Sequence, residues 1–247
     1  MDDFDSSLRT TWSARFQAVL EIILASSIVS SFLVSLVFVS MFGRKRLNIA
    51  EMDVGFFTTY QMLESVVVFL IIWLLMKTRG ETFSDMGLRL RQWKINVLLG
   101  IGAAPCLIIV SGAAGATIQL LLPEYAIEKN PLMEMINSPR QLVLFIVTAI
   151  VAGGVKEELQ RAFILTRFRR HLGGAVIGLV VWSLAFGAGH YVQGLQGVCV
   201  ATILGLFFGA LYLIRGNLIL SITAHAAYNT LTLLIYWFAV GTNKQIP

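Results

Sequence analysis

Apolar stretches at about 17–42, 55–76, 95–122, 141–166, 174–190, 197–214 and 218–240 divide the chain, with short polar connections between them. A helix rises about 1.5 Å per residue, so about 20 apolar residues cross a hydrocarbon core roughly 30 Å thick. The pattern predicts an all-α polytopic transmembrane bundle of about seven spans. The fifth and sixth stretches are short and glycine-rich, which marks them as spans open to breaking or tilting. The longest polar connections, about 77–94 and 123–140, are too short for a soluble domain. Residues 1–140 therefore hold the N-terminal helices and an interfacial segment, 141–240 a C-terminal core, and 241–247 a short tail. The interfacial segment is Phe83-Ser84-Asp85-Met86-Gly87-Leu88, followed by Arg89, Arg91, Trp93 and Lys94, residue types suited to headgroups. The first apolar run is too long for a cleaved signal sequence and ends at Gly43-Arg44-Lys45-Arg46, so it is expected to stay as a span.

Composition strengthens the membrane reading. Hydrophobic residues make up 57% of the chain, charged residues 13%, and the mean hydropathy is +0.77. A soluble domain carries about 25% charged residues, and a water-facing surface cannot be assembled from so few. Lys and Arg number 19 against 14 Asp and Glu, but the cations sit in loops between apolar runs. They point to anionic headgroups and to topology, not to nucleic acid. With a cytoplasmic N-terminus, eleven Lys and Arg fall on inside loops and six outside, with Arg44 to Arg46 voting the other way. Cys106 and Cys199 lie inside apolar stretches without metal-ligand spacing and read as small hydrophobes.

Ionisable residues inside spans are costly and tend to be functional, at about 2.5–3.5 kcal/mol or more each. The fourth stretch carries Lys156, Glu157, Glu158 and Arg161. The fifth ends Phe186-Gly187-Ala188-Gly189-His190, and the seventh carries His225-Ala226-Ala227-Tyr228-Asn229. Residues four apart share a helix face, which predicts pairing of Glu157 with Arg161 and places Asn229 one turn beyond His225. The fourth and fifth stretches form an antiparallel hairpin about Gly173-Gly174, so Glu157 and His190 face each other at matched depth. A carboxylate and an imidazole beside a water make a general-base pair. A second His and an Asn supply donors for a developing oxyanion. That combination suits amide hydrolysis by an activated water, with Ser183 the one alternative nucleophile on the fifth stretch. The bland alternatives are a salt-bridge knot of Glu157, Glu158 and Arg161, and helix-to-helix hydrogen bonds for the histidines. Zinc on two His and a Glu is a third, although no HExxH helix is present. Glu64 is expected to be hydrogen-bonded or water-facing, Glu21 to reach the interface, and His171 to be solvated.

Three elements in order, Glu157-Glu158 with Arg161, Phe186-xxx-His190 and His225-xxx-Asn229, resemble the motifs of the CAAX protease and bacteriocin-processing family. Its eukaryotic member is the Ras-converting CAAX prenyl endopeptidase. The likeness covers about residues 141–230, and Asp85-Met86-Gly87-Leu88 is similar to a stretch often seen before the core in bacterial members. The resemblance implies an intramembrane endopeptidase in which Glu157 and His190 activate water while His225 and Asn229 stabilise the oxyanion. It requires no zinc, and no cofactor is expected. The implied partners are the bilayer and a membrane-associated protein or peptide substrate, and the implied location is a bacterial cytoplasmic membrane. The family has three residues between the Glu pair and the Arg, whereas here only Leu159 and Gln160 intervene. Aligned from Arg161, Lys156 takes the place of the catalytic glutamate; aligned from the pair, Glu157 keeps it, the choice that matched depth favours. Two other classes stay open at this stage: a proton-coupled transporter using the same residues as a relay, and a non-enzymatic immunity or scaffold protein with an inactive site.

Overall fold

The computed structural model describes residues 11–49, 52–127 and 130–239. The tail 241–247, and Arg9, Lys129 and Lys244 of the charge count, lie outside them. Every regular element among the described residues is helical. In chain order these are α1 (Trp12–Ala25), α2 (Ser27–Phe42), α3 (Val54–Thr78), α4 (Trp93–Leu121), the single turn α5 (Pro131–Glu134) and α6 (Pro139–Thr148). A π-helical stretch, Ala149–Lys156, runs straight into α7 (Glu157–His171), followed by α8 (Ala175–Ala188), α9 (Gly194–Arg215) and α10 (Leu218–Ala239).

All the apolar stretches are helical, but they are not equal as spans. Four helices, or five if the bent α1–α2 pair is one span, are long and apolar enough to cross a membrane. The pair bends by 42° at Ser26, whose backbone is extended and whose hydroxyl turns back to the Ile23 carbonyl. α8 has only 14 residues, and the α6–π–α7 helix carries four charged side chains near its middle. Large apolar side chains such as Ile28, Phe32, Leu98, Ile109 and Val176 face outwards. In water such faces would drive aggregation, but in lipid they cost nothing, so this is an integral membrane protein.

The core is built on close helix contacts. α4 packs on α10 over the largest interface, and α8 on α9 over the next. At Gly100 of α4 a Cβ would stand only 2.8 Å from the Leu220 carbonyl oxygen of α10, so the two backbones meet there because the residue has no side chain.

The two ends of the bundle differ in chemistry. At the end formed by the α3 and α7 C-termini, Glu21 bridges Arg79 at 2.7 Å and Arg167 at 2.5 Å. Arg167 also forks onto Glu81, with which Arg170 pairs through one nitrogen, and the Arg167 guanidinium stands 4.2 Å from the Phe163 ring centroid. Glu21 is thus buried in an ion network instead of reaching the interface, and His171, at the rim of this network, is half-buried and not fully solvated. The segment around Met86 docks into the same end. Asp85 accepts hydrogen bonds from the Thr82 backbone N–H and hydroxyl, which lowers its pKa below the ordinary carboxylate value. Met86 is buried, its carbonyl accepts from the Tyr212 hydroxyl at 3.0 Å, and the Leu218 N–H donates to the Gly87 carbonyl at 2.9 Å. What reads in sequence as an interfacial strip is a plug on the α9–α10 turn.

Candidate active site

The site begins with the widened helix. The Glu157 N–H bonds to the Ala152 carbonyl, an i→i−5 pairing, and such stretches inside α-helices are rare and concentrate at functional sites. Small residues make it possible here. A Cβ on Gly154 would lie 2.8 Å from the Ala226 Cβ, and one on Gly153 would press on the Asn229 amide. The helix therefore lies flush against α10 where its three charged residues begin.

Lys156, Glu157 and Glu158 then point in three directions, as successive helical residues must. Lys156 turns to α3, where its ammonium lies 2.5 Å from Glu64, a carboxylate that also accepts from Ser30 of α2 at 2.7 Å. Glu64 is hydrogen-bonded, as its place in an apolar stretch required, and is ion-paired as well. Glu157 turns to a cavity of about 660 Å³ lined also by His190, His225 and Asn229. Glu158, fully buried, turns to the interior. The lysine that competes with Glu157 in the motif alignment is absent from the cavity wall.

Arg161 pairs with Glu158, three residues away, and not with Glu157 as the four-residue spacing suggested. Its guanidinium carbon stands 4.9 Å from the Phe186 ring centroid and 5.7 Å from that of Phe208. Glu158 also meets His225 Nδ1 at 2.8 Å, and the His225 ring stacks on Phe208 at 4.2 Å with 16° between planes. Held from both sides, His225 presents Nε2 to the cavity, 3.8 Å from a Glu157 carboxylate oxygen.

His190 sits just past the end of α8, where Gly189 closes the helix. Its Nδ1 lies 2.8 Å from the Phe186 carbonyl. A carbonyl only accepts, so Nδ1 carries the proton and Nε2 is the free, basic nitrogen. Asn229 lies one turn beyond His225 and donates to the Ala149 carbonyl at 3.4 Å, at the start of the widened stretch.

The residues singled out from sequence thus divide into two sets. Glu157, His190, His225 and Asn229 line one cavity, while Glu158 and Arg161 lie behind His225. Ser183 is buried against Gly205 between α8 and α9, off the cavity. Among the described residues no group of three or more His, Cys, Asp or Glu is placed to hold a metal ion. Phe208, Gln193 and Gln196 belong to the site region without any mark in the sequence, being ordinary residues of apolar stretches and turns. Only the Gly153-Gly154 pair carried a signal, as a disturbance of helix phase just before the charges.

Compared with known families, residues 138–231 match the model described as Rce1-like, type II CAAX prenyl endopeptidase Rce1-like. No curated protein and no solved structure matches. The matched stretch begins at the Ser138 cap of α6, ends two residues beyond Asn229, and encloses every side chain of the cavity site named above. Over residues 138–231 the chain is thus similar to the Rce1-like family of type II CAAX prenyl endopeptidases.

Proposed function

We propose that this protein is an intramembrane endopeptidase that hydrolyses a peptide bond of a membrane-associated protein or peptide with water activated by Glu157 and His190. The observation that carries the proposal is the division of the two carboxylates. Glu158 is neutralised by Arg161 and holds His225, whereas Glu157 has no guanidinium partner and lines the cavity with both histidines.

In the reaction, Glu157, helped by the basic Nε2 of His190, takes a proton from water as its oxygen attacks the carbonyl carbon. The carbonyl π bond opens to an oxyanion. The Asn229 amide donates to that oxygen, and His225, held through Nδ1 by Glu158, turns Nε2 towards it. The proton taken from water passes to the leaving nitrogen, the C–N bond breaks, and a carboxylic acid and an amine are released. No step in this scheme is routed through a metal ion.

Purified protein in lipid nanodiscs with a quenched, membrane-anchored peptide library tests the proposal. Glu157→Gln and His190→Ala are expected to lower the cleavage rate by about 10²–10⁴-fold, the usual worth of a positioned acid–base group. Full activity in Glu157→Gln would sink it. A chelator is expected to leave the wild-type rate unchanged; loss of activity, restored by added zinc, would replace the water-activation scheme with a metal-based one.

A further inference from the structure

We infer that the cavity opens on the membrane face away from the cytoplasm, and that its substrate is a peptide segment with uncharged side chains arriving from that side. The substrate half of this inference rests on the peptidase reading; the orientation half does not.

The ion-network end of the bundle carries most of the cations. Lys77 and Arg79 close α3, Arg89, Arg91 and Lys94 flank the start of α4, Arg167, Arg169 and Arg170 close α7, and Arg215 closes α9. These segments are tied together at one end. Arg79 and Arg167 share Glu21, Arg215 binds Asn96 at 2.8 Å, and Asn217 binds the Arg89 carbonyl at 3.1 Å. At the other end the described basic positions are Arg44 to Arg46 and Arg140. Loops rich in Lys and Arg stay cytoplasmic, so the ion-network end faces the cytoplasm.

The cavity lies towards the opposite end. From α4 its wall takes Ile108 to Gln119, about 16 Å of helix, and from α10 His225 to Ile235, about 15 Å. It continues past Ile127, Asn130 and Gln193 in the turns at that end. No lining residue lies between 158 and 185, between 209 and 224, or between 62 and 107. Those segments form the packed core of Met76, Met86, Phe163, Leu165, Tyr212 and Leu218 that closes the cytoplasmic end. Among the described residues, Glu157 is thus closed off from the ion-network end.

The wall also limits what enters. Glu157 is the only Asp, Glu, Lys or Arg among the described lining residues. The polar groups along the way are amides and hydroxyls, among them Gln119, Asn130, Gln193 and Gln196, with Asn130 donating to Gln193 at 3.4 Å. Amides match the donors and acceptors of an extended peptide backbone. Along that amide-lined path a charged substrate side chain would meet no counterion among the described residues short of Glu157, and would lose its hydration without compensation.

Cysteine labelling tests the orientation without any activity. In a Cys106→Ala/Cys199→Ala background, Gln119→Cys and Gln193→Cys are expected to react with a membrane-impermeant maleimide on intact cells. Lys94→Cys and Arg169→Cys are expected to react only after permeabilisation. Labelling of Lys94→Cys or Arg169→Cys in intact cells overturns the orientation. For the substrate, a neutral peptide added outside right-side-out vesicles is expected to be cleaved at least about tenfold faster than its lysine-substituted version, a difference of about 1.4 kcal/mol. Equal rates overturn the selectivity, and cleavage confined to inside-out vesicles overturns the direction of access. Correct labelling with no cleavage in either vesicle leaves the orientation standing and removes the peptidase reading, and the substrate half with it.

Discussion

Gly153 shows how little room the site leaves. A methyl group there would press on the Asn229 amide and stand 3.6 Å from His225 Nε2. Gly153→Ala is therefore expected to displace one or both of those donors. A misplacement of about 1 Å can cost about 10²-fold in rate, so kcat should fall by at least about tenfold while the melting temperature changes little. Equal losses in both would point to a packing role alone. Behind the site, Glu158 and Arg161 are both buried, and removing one strands the other. Arg161→Met is expected to cost about 3–5 kcal/mol, read as a lowered unfolding midpoint in detergent. These residues were legible in the sequence because charge in an apolar run is expensive and has to be explained. Their partners were not. Pairing at four residues and pairing at three compete on any helix, and the choice of Glu158 for Arg161 depended on where α8 and α9 bring Phe186 and Phe208.

Among the elements, the helix from α6 to α7 joins the site to the rest of the bundle. Lys156 anchors it to α3 through Glu64, off the cavity wall. A buried ion pair contributes little relative to well-packed apolar groups, yet breaking it leaves an uncompensated charge. Lys156→Met alone should therefore destabilise by about 3–5 kcal/mol, while Lys156→Met with Glu64→Leu should recover most of the loss. Failure of the double variant to recover would mean that the charges themselves hold the helix. The apolar runs marked out these helices well, since a bilayer demands length and hydrophobicity and little else. Two features escaped. The 42° bend at Ser26 comes from one extended residue inside a continuous apolar run. The widened turn is a property of backbone hydrogen bonds that no side-chain pattern encodes.

At the scale of the whole molecule, one half is sealed by an ion network and a docked loop, and the other is hollow. Hydrogen exchange should follow that division, with slow amides over 157–168 and fast ones over 123–138, where short turns border the cavity. Uniform protection across both would contradict it. The uneven division of loop cations between the two ends was readable in the sequence. The side on which the cavity opens was not, because that depends on which helix ends pack and which splay.

The widened turn has one further consequence. An i→i+5 stretch holds one residue more than the α-helix it interrupts, so it is a store of slack in the chain. A relative lacking one residue between Ala149 and Lys156 could run as plain α-helix and still present the same carboxylate to the same wall. A deletion just after Glu158 has no such reserve. It would turn Arg161 by about 100° around the helix axis and lift it from the Phe186 and Phe208 rings it now covers. Insertions and deletions in this protein should accordingly be borne before the glutamates and not after them.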